Sequence, residues 1–478
     1  MNNNNEFVNS PLASSKFFSS RKLLVLASII VLLITILPGQ ITAALPLETS
    51  LLFFVIGMAS VIGIIHELGY AAVTLNMIHW IFTLIFFFIA PLIQAYSGYS
   101  PWEFTNANNE TIMNNCLIVI LWIIFYICGG GLLGKRIRLA PIRYRERISK
   151  GWLRMFTFLS VICAMTIVAR YGFSNLFARA DMVVGEDAVE MSTMTSLVWS
   201  KCSRATIFFA EAVLIMTAIR KEFKVNKLLA MNSLVMLLVC FPAALSRNEA
   251  AAIYLGLFLI LFYRDLEKFR GKPWYLFAFL ASTIVLFQLI NVFRRTSFGD
   301  ESAVDKMFLM SQNLGDEYLS GGYDAFAIIG ATVDYVKTFD MTYGRQLLGS
   351  LFFFIPRNIW TTKPIGSGAM ISAAGGQYFT NISCPLVAEG YVNFGILGVI
   401  LFGFFAGFLC TVIDRKYWEN APKDQSFSFI KIAYPCLLPY YFFMLRGDLM
   451  SSFAYTSAYM IVFWFLFRLS GWHIKISS

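Results

Sequence analysis

Uninterrupted apolar stretches, each long enough to cross a bilayer, recur along nearly the whole chain and constrain its fold more than any other feature. A helix spanning the hydrocarbon core needs about 20 mostly apolar residues. With no water present, only helices and closed barrels can satisfy their own backbone hydrogen bonds there. Such runs fall near 22–38, 49–65, 72–95, 113–134, 152–170, 196–219, 228–246, 248–263, 274–292, 395–413, 428–445 and 452–469. They predict an all-α, polytopic membrane protein of about 12 transmembrane helices. Composition agrees, since 58% of residues are hydrophobic and only 14% charged, where a soluble domain carries about 25% charged residues. The net charge of +10 does not point to nucleic acid, because the basic residues sit in short runs between apolar stretches rather than on one soluble module.

Those basic runs orient the chain. Residues 135–150 (KRIRLAPIRYRERISK), 220–227 (RKEFKVNK), 264–272 (RDLEKFRGK) and 414–423 alternate with neutral or acidic loops, and the positive-inside bias puts them in the cytoplasm. An even number of spans then leaves both termini cytoplasmic. The expected organisation is an Asn- and Ser-rich disordered cytoplasmic tail at 1–20, spans one to nine within 21–292, a large non-cytoplasmic loop at 293–394, the last three spans at 395–469, and a cytoplasmic tail at 470–478. A cleaved signal peptide at 21–44 is the alternative for the first run, but further apolar segments follow at once, which favours an anchor.

The long loop has internal pattern. Phe326, Ile329, Val333 and Val336 recur at helical spacing, predicting an amphipathic helix over 323–337 that lies on the membrane surface. Residues 346–355 (QLLGSLFFFI) are apolar but too short to cross, and Pro356 stops them, which predicts a re-entrant or interfacial helix.

Cations on the outer side oppose the charge bias and need a local reason. Arg247, Arg294, Arg295, Arg357, Lys363 and Arg446, with Lys201 and Arg204 in the sixth span, all fall near outer helix ends. Together they predict a basic pocket at the outer interface for a lipid phosphate or pyrophosphate, since guanidinium forks pair bidentately with phosphate oxygens. The competing reading pairs each with a nearby acid, Arg247 with Glu249, Arg446 with Asp448 and Arg295 with Asp300. Glu389, in EGYVNFGILG at the exit of the loop, is placed to take a proton from an attacking hydroxyl; as a helix-start acid favourable to the dipole it has an equally good structural explanation. Tyr343, Trp360, Tyr378 and Tyr391, with Asp448, are candidate sugar or interface contacts. Asp300, Glu301, Asp305, Asp316 and Glu317 form an acidic patch without ligand spacing, and a solvated loop face accounts for them better than a divalent ion. Eight cysteines without a CxxC pair, and His66, His79 and His473 without partners at ligand spacing, encode no disulfide framework and no zinc site. No cofactor or metal is expected.

The stretches RQLLGSLFFFIPRNIWTTKP and CPLVAEGYVNFGILG resemble the signature of the Wzy-type O-antigen polymerases, which polymerise oligosaccharide repeat units. The dozen spans, the long outer loop before the last three and the outer RGD segment are similar too. The resemblance implies a glycosyltransferase C-like helical body in the bacterial inner membrane with a partly helical periplasmic loop. It implies donor and acceptor glycans that are both linked to undecaprenyl pyrophosphate, and transfer of the growing glycan to the non-reducing end of a single repeat unit, with undecaprenyl pyrophosphate released. Glu389 and Arg357 would be catalytic; Arg247, Arg294, Arg295, Lys363 and Arg446 would hold the pyrophosphate. A chain-length-regulating membrane protein is an implied partner, besides the lipid bilayer. No Gly-rich phosphate loop or DxD motif for a nucleotide sugar is present. The first outer loop, at 39–48, offers only Glu48, which argues against metal assistance.

Two other functions fit such a chain. An O-antigen ligase shares the chemistry but uses a lipid A core as acceptor. A lipid-linked oligosaccharide flippase would carry its cations at mid-membrane in two repeated halves with short loops, and neither repetition nor short outer loops are visible here.

Overall fold

The computed structural model describes residues 45–145, 147–173, 176–177, 193–221, 223–242, 244–262, 316–379, 381–419, 426–470 and 475–476. The apolar runs at 22–38 and 274–292, the Arg294–Arg295 pair, His473 and the acids Asp300, Glu301 and Asp305 lie outside them. The described residues are almost entirely helical. In chain order they form α1 (Leu47–Tyr70), α2 (Leu75–Tyr96), α3 (Asn109–Gly134), α4 (Lys150–Tyr171), α5 (Thr193–Arg220), α6 (Asn226–Val239), α7 (Arg247–Leu261), α8 (Ala325–Phe339), α9 (Arg345–Leu351), α10 (Ser367–Ala374), α11 (Leu386–Trp418), α12 (Phe429–Arg446) and α13 (Leu449–Leu469). Seven of them, α1 to α5, α11 and α13, are long and apolar enough to cross a membrane. At 14 and 15 residues, α6 and α7 are shorter than the apolar runs at 228–246 and 248–263 that they overlap, and α12 carries Pro435 and Pro439 in its interior.

Polar residues at the helix entrances account for where several helices begin, because each supplies an acceptor to an otherwise unpaired N–H. Thr74 caps α2 through Met77 N, Asn108 caps α3 through Thr111 N, and Ser149 caps α4 through Trp152 N. Asp448 caps α13 through the amides of Met450 and Ser451.

Two apolar cores pack side by side. One joins α1, α2, α3, α8 and α11; the other joins α4, α5, α6, α7 and α13. Helix α12 serves both, with Tyr434, Leu438, Tyr441 and Leu445 in the first and Ile432, Ala433, Cys436 and Tyr440 in the second. In the first core α3 and α11 approach so closely that a Cβ on Gly407 would lie 2.0 Å from the carbonyl oxygen of Tyr126. Only glycine permits this backbone contact, the usual way membrane helices gain packing where no hydrophobic driving force separates helix from lipid.

At one end of the bundle a small antiparallel sheet gathers three separate segments. Its central strand β1 (Arg143–Arg145) pairs with β2 (Phe427–Ser428) on one side and β3 (Lys475–Ile476) on the other. Arg145 donates to the carbonyl of Phe467 at the end of α13, 3.0 Å away. The strands after α3, before α12 and after α13 therefore share one face.

Two expectations need correction. The helix read as lying on the membrane surface is present as α8, but residues Ala325 to Thr332 are buried on every side, against α3 and α11. Small residues Ala325, Ala327, Gly330 and Ala331 between the large ones let this half insert among its neighbours, Gly330 lying against Thr111 and Asn115 of α3. The helix expected to begin at 395 begins nine residues earlier at Leu386, and it is broken at Phe394 and Gly395. Gly395 there has φ +60 and ψ −143, a conformation that L side chains rarely adopt.

Candidate functional site

The broken helix sets the site. Its first piece, from Leu386 to Asn393, presents Glu389 in the first turn, and the break is held by side-chain bonds. Asn393 accepts at Oδ1 from Leu347 N (3.0 Å) and donates from Nδ2 to the carbonyl of Glu389 (2.8 Å). Thr342 N donates to Val392 O at 2.9 Å. The first piece is thereby fastened to α9, while the second packs on α3.

Glu389 is fully buried. Its Oε2 accepts from the hydroxyl of Ser367 (2.8 Å) at the start of α10, and its Oε1 accepts from Leu449 N (3.0 Å) at the start of α13. Beside it, Asp448 accepts at Oδ2 from Gly368 N (3.3 Å) and at Oδ1 from Met450 N and Ser451 N. A Cβ on Gly366 would lie 2.4 Å from the Asp448 carboxylate. The two acids thus share the amide-rich starts of α10 and α13, a setting that favours negative charge, yet burial holds the Asp448 carboxyl above its ordinary range. Asp448 is the less enclosed residue of the pair, Glu389 being fully buried.

A third acid lies close by. Asp324, at the entrance of α8, is buried and accepts from Trp102 Nε1 (2.9 Å), Ser383 Oγ (2.6 Å) and, more loosely, Arg446 Nη2 (3.5 Å). Cys384 is buried within the field of Glu389, Asp448 and Asp324 together, and burial pushes its thiol well up.

The sequence-predicted cations occupy three settings. Arg357 donates to the carbonyls of Lys363 (2.7 Å) and Pro364 (3.0 Å) and remains exposed. Lys363 is buried, its ammonium donating to the carbonyls of Phe353 (2.6 Å) and Ile355 (2.9 Å). Burial, then the neighbouring Arg357 charge, lowers its pKa. These two fix the turn that leads into Ser367. Arg446 forms the second setting: its ion pair is with Asp324, 122 positions away, rather than with the neighbouring Asp448. Its ring neighbour is Phe86, whose centroid lies 5.9 Å from the guanidinium carbon.

The third setting is deeper in the bundle. Glu249 on α7, fully enclosed, binds Lys201 and Arg204 of α5 (the latter at 3.3 Å) and accepts from Tyr459 of α13 at 3.1 Å. Arg247 begins the same helix two residues earlier. Lys201 also lies 4.5 Å from the ring centroid of Tyr455. Arg357 and Lys363 hold the turn that leads into Ser367 and Gly368, which bond Glu389 and Asp448; Arg446 precedes Asp448 by two positions and pairs with Asp324, and Arg247 begins the helix that carries Glu249.

Of the predicted aromatic contacts, Tyr343 and Tyr378 are exposed, and Trp360 and Tyr391 are half-buried. The Tyr343 hydroxyl donates to Asp340 Oδ2 at 2.9 Å. Asp316 opens a short 3-10 turn with Glu317. No group of His, Cys, Asp and Glu able to hold a metal occurs among the described residues, and His79 is stacked on Tyr126, centroids 3.5 Å apart, in the apolar core.

Sequence reasoning missed Ser367, Asp324 and Tyr455. Asp448 had a readable signal, an Asp directly before an apolar run, which marks a helix cap. No protein-family model, curated protein or solved structure matches this chain.

Proposed function

We propose that this chain is a membrane glycosyltransferase that polymerises undecaprenyl-pyrophosphate-linked oligosaccharide repeat units at the periplasmic face of the bacterial inner membrane, with about 12 spans, a large outer loop and both termini in the cytoplasm. The observation that carries the reading is the carboxylate pair of Glu389 and Asp448 at the bundle end opposite the basic loops, with Arg357 on the turn that leads into Ser367 and Arg446 two positions before Asp448. The resemblance of residues 345–364 and 384–398 to the polymerase signature agrees with it.

In this reading the acceptor hydroxyl, at the non-reducing end of one repeat unit, attacks the anomeric carbon of the growing glycan. The carboxylate pair takes the hydroxyl proton, with Asp448 as the less enclosed member and Glu389 as its buried partner. The bond from the anomeric carbon to the pyrophosphate oxygen breaks, and its electron pair leaves on undecaprenyl pyrophosphate. The exposed Arg357, whose two carbonyl bonds leave further guanidinium N–H groups unused, and Arg446 offset the charge that develops there.

The test is to incubate the purified chain with lipid-linked repeat units alone. A ladder of longer glycans supports the polymerase. Product formed only when a lipid A core acceptor is added means a ligase, and unchanged material carried across a vesicle membrane means a flippase.

A further inference from the structure

The outer loops carry an aromatic surface that the reaction above does not use. Tyr378 is completely exposed and Phe379 is 54% exposed. The backbone that carries them is fixed. Ser372 Oγ holds the carbonyl of Phe379 at 2.7 Å, Gln377 N donates to Ser372 O at 3.1 Å, and Phe104 packs against Gly375. Phe379 stacks on Trp102, with centroids 6.0 Å apart and planes 28° from parallel. Trp102 is fixed from behind: its Nε1 is bound by Asp324, and its six-membered ring lies against Gly321. The single polar handle of the indole points inward, so what this surface offers outward is ring faces.

We propose that Trp102, Tyr378 and Phe379 form a saccharide-binding platform that holds the distal sugars of a glycan whose reacting end sits at the carboxylate pair. Exposed aromatic clusters of this kind mark an interaction site, and sugars present flat C–H faces that pack on aromatic rings. Segments 96–112 and 374–385 contain no lysine or arginine to meet an anionic headgroup and carry Glu103 and Glu110, which favours a neutral glycan over a lipid surface as the occupant. The spacing also fits. Helix α10 begins at Ser367, on the carboxylate pair, and ends beside the loop that bears Tyr378 and Phe379; its eight residues span about 12 Å at 1.5 Å per residue, the reach of a short oligosaccharide. The proposal rests on the glycosyltransferase reading for the identity of the glycan, but not for the existence of the platform.

The experiment uses the full chain in detergent and the double variant Tyr378→Ala/Phe379→Ala. Saturation-transfer NMR is recorded with maltohexaose, cellohexaose and chitohexaose, and product ladders are compared on lipid-linked repeat units. At least one hexasaccharide should bind the wild-type chain, and the double variant should bind it at least about fivefold more weakly, the loss expected for removing one or two ring contacts, while giving shorter ladders. Equal binding by both chains, or binding of no hexasaccharide by the wild type, overturns the platform. So does quenching of a Tyr378→Trp variant by bromolipids in vesicles, which would place the residue among headgroups. The binding measurement needs no turnover, so ring-dependent binding without any ladder would sink the polymerase reading and leave the platform standing.

Discussion

The carboxylate of Glu389 accepts a hydrogen bond from the backbone N–H of Leu449, 60 positions further along the chain, at 3.0 Å. With the Ser367 hydroxyl on its other oxygen, this one buried side chain ties α10, α11 and α13 together. Its structural and chemical roles therefore have to be separated by choice of substitution. Glu389→Gln keeps one acceptor oxygen and the same shape, whereas Glu389→Ala strands the Leu449 amide, which costs about 1–3 kcal/mol. Both variants should make no ladder. Only Glu389→Ala should lose most of that stability, read as the midpoint of thermal unfolding in detergent.

Asp448 gives a pH signature. Its carboxyl is raised by burial, so the folded chain holds this proton more tightly than the unfolded chain does. That preference stabilises the fold in full below the unfolded carboxyl pKa of about 3.9, and it is lost as pH rises from there through the raised folded value. Asp448→Asn keeps a good helix cap and carries no titrating proton. The unfolding temperature of the variant should gain on that of the wild type as pH is raised from acid towards neutrality. Parallel curves would show that Asp448 is not buried as described.

Arg357 holds the carbonyls of Lys363 and Pro364 but is otherwise exposed. Arg357→Ala should lower the rate of ladder formation by about 10²-fold or more if the guanidinium stabilises the departing pyrophosphate. Stability should fall by only about 1–2 kcal/mol for two bonds at the surface. Arg357→Lys keeps the charge but not the fork, and should recover part of the stability without the rate.

Glu249 faces two cations, so the order of effects is fixed. Glu249→Gln leaves Lys201 and Arg204 buried without a counter-charge and should destabilise the chain by about 3–5 kcal/mol. Lys201→Met leaves Arg204 on Glu249 and fills the space with an apolar side chain, and should be much milder. Unfolding midpoints of the two variants decide it; the reverse order would mean that Glu249 is not the hub of the cluster.

Much of the helical framework is readable from the chain, because a bilayer demands long apolar runs and the polar caps Asn108, Ser149 and Asp448 mark where they begin. Partnership is far less readable. Arg446 is two positions from Asp448, yet its carboxylate is Asp324, since Asp448 turns towards the amides of its own helix and of Gly368. Likewise Glu249 lies two positions from Arg247 but is bound from α5, because Lys201 and Arg204 enter the bundle at the same depth. Depth and facing angle come from packing, and no local pattern encodes them. Helix α8 shows the same limit: its stripe of large residues was visible, but the small residues that let it insert became meaningful only beside α3 and α11.

The break in α11 also decides how the chain tolerates insertions and deletions. In a continuous helix, one added residue rotates everything beyond it by about 100°, so a length change in the second half would swing Glu389 away from Ser367 and Leu449. At Phe394 and Gly395 that rotation has no rigid shaft to travel along, and the first piece takes its angular setting from Thr342 and Leu347. Length changes between Ile396 and Trp418 should therefore disturb the packing on α3 while leaving the carboxylate aligned.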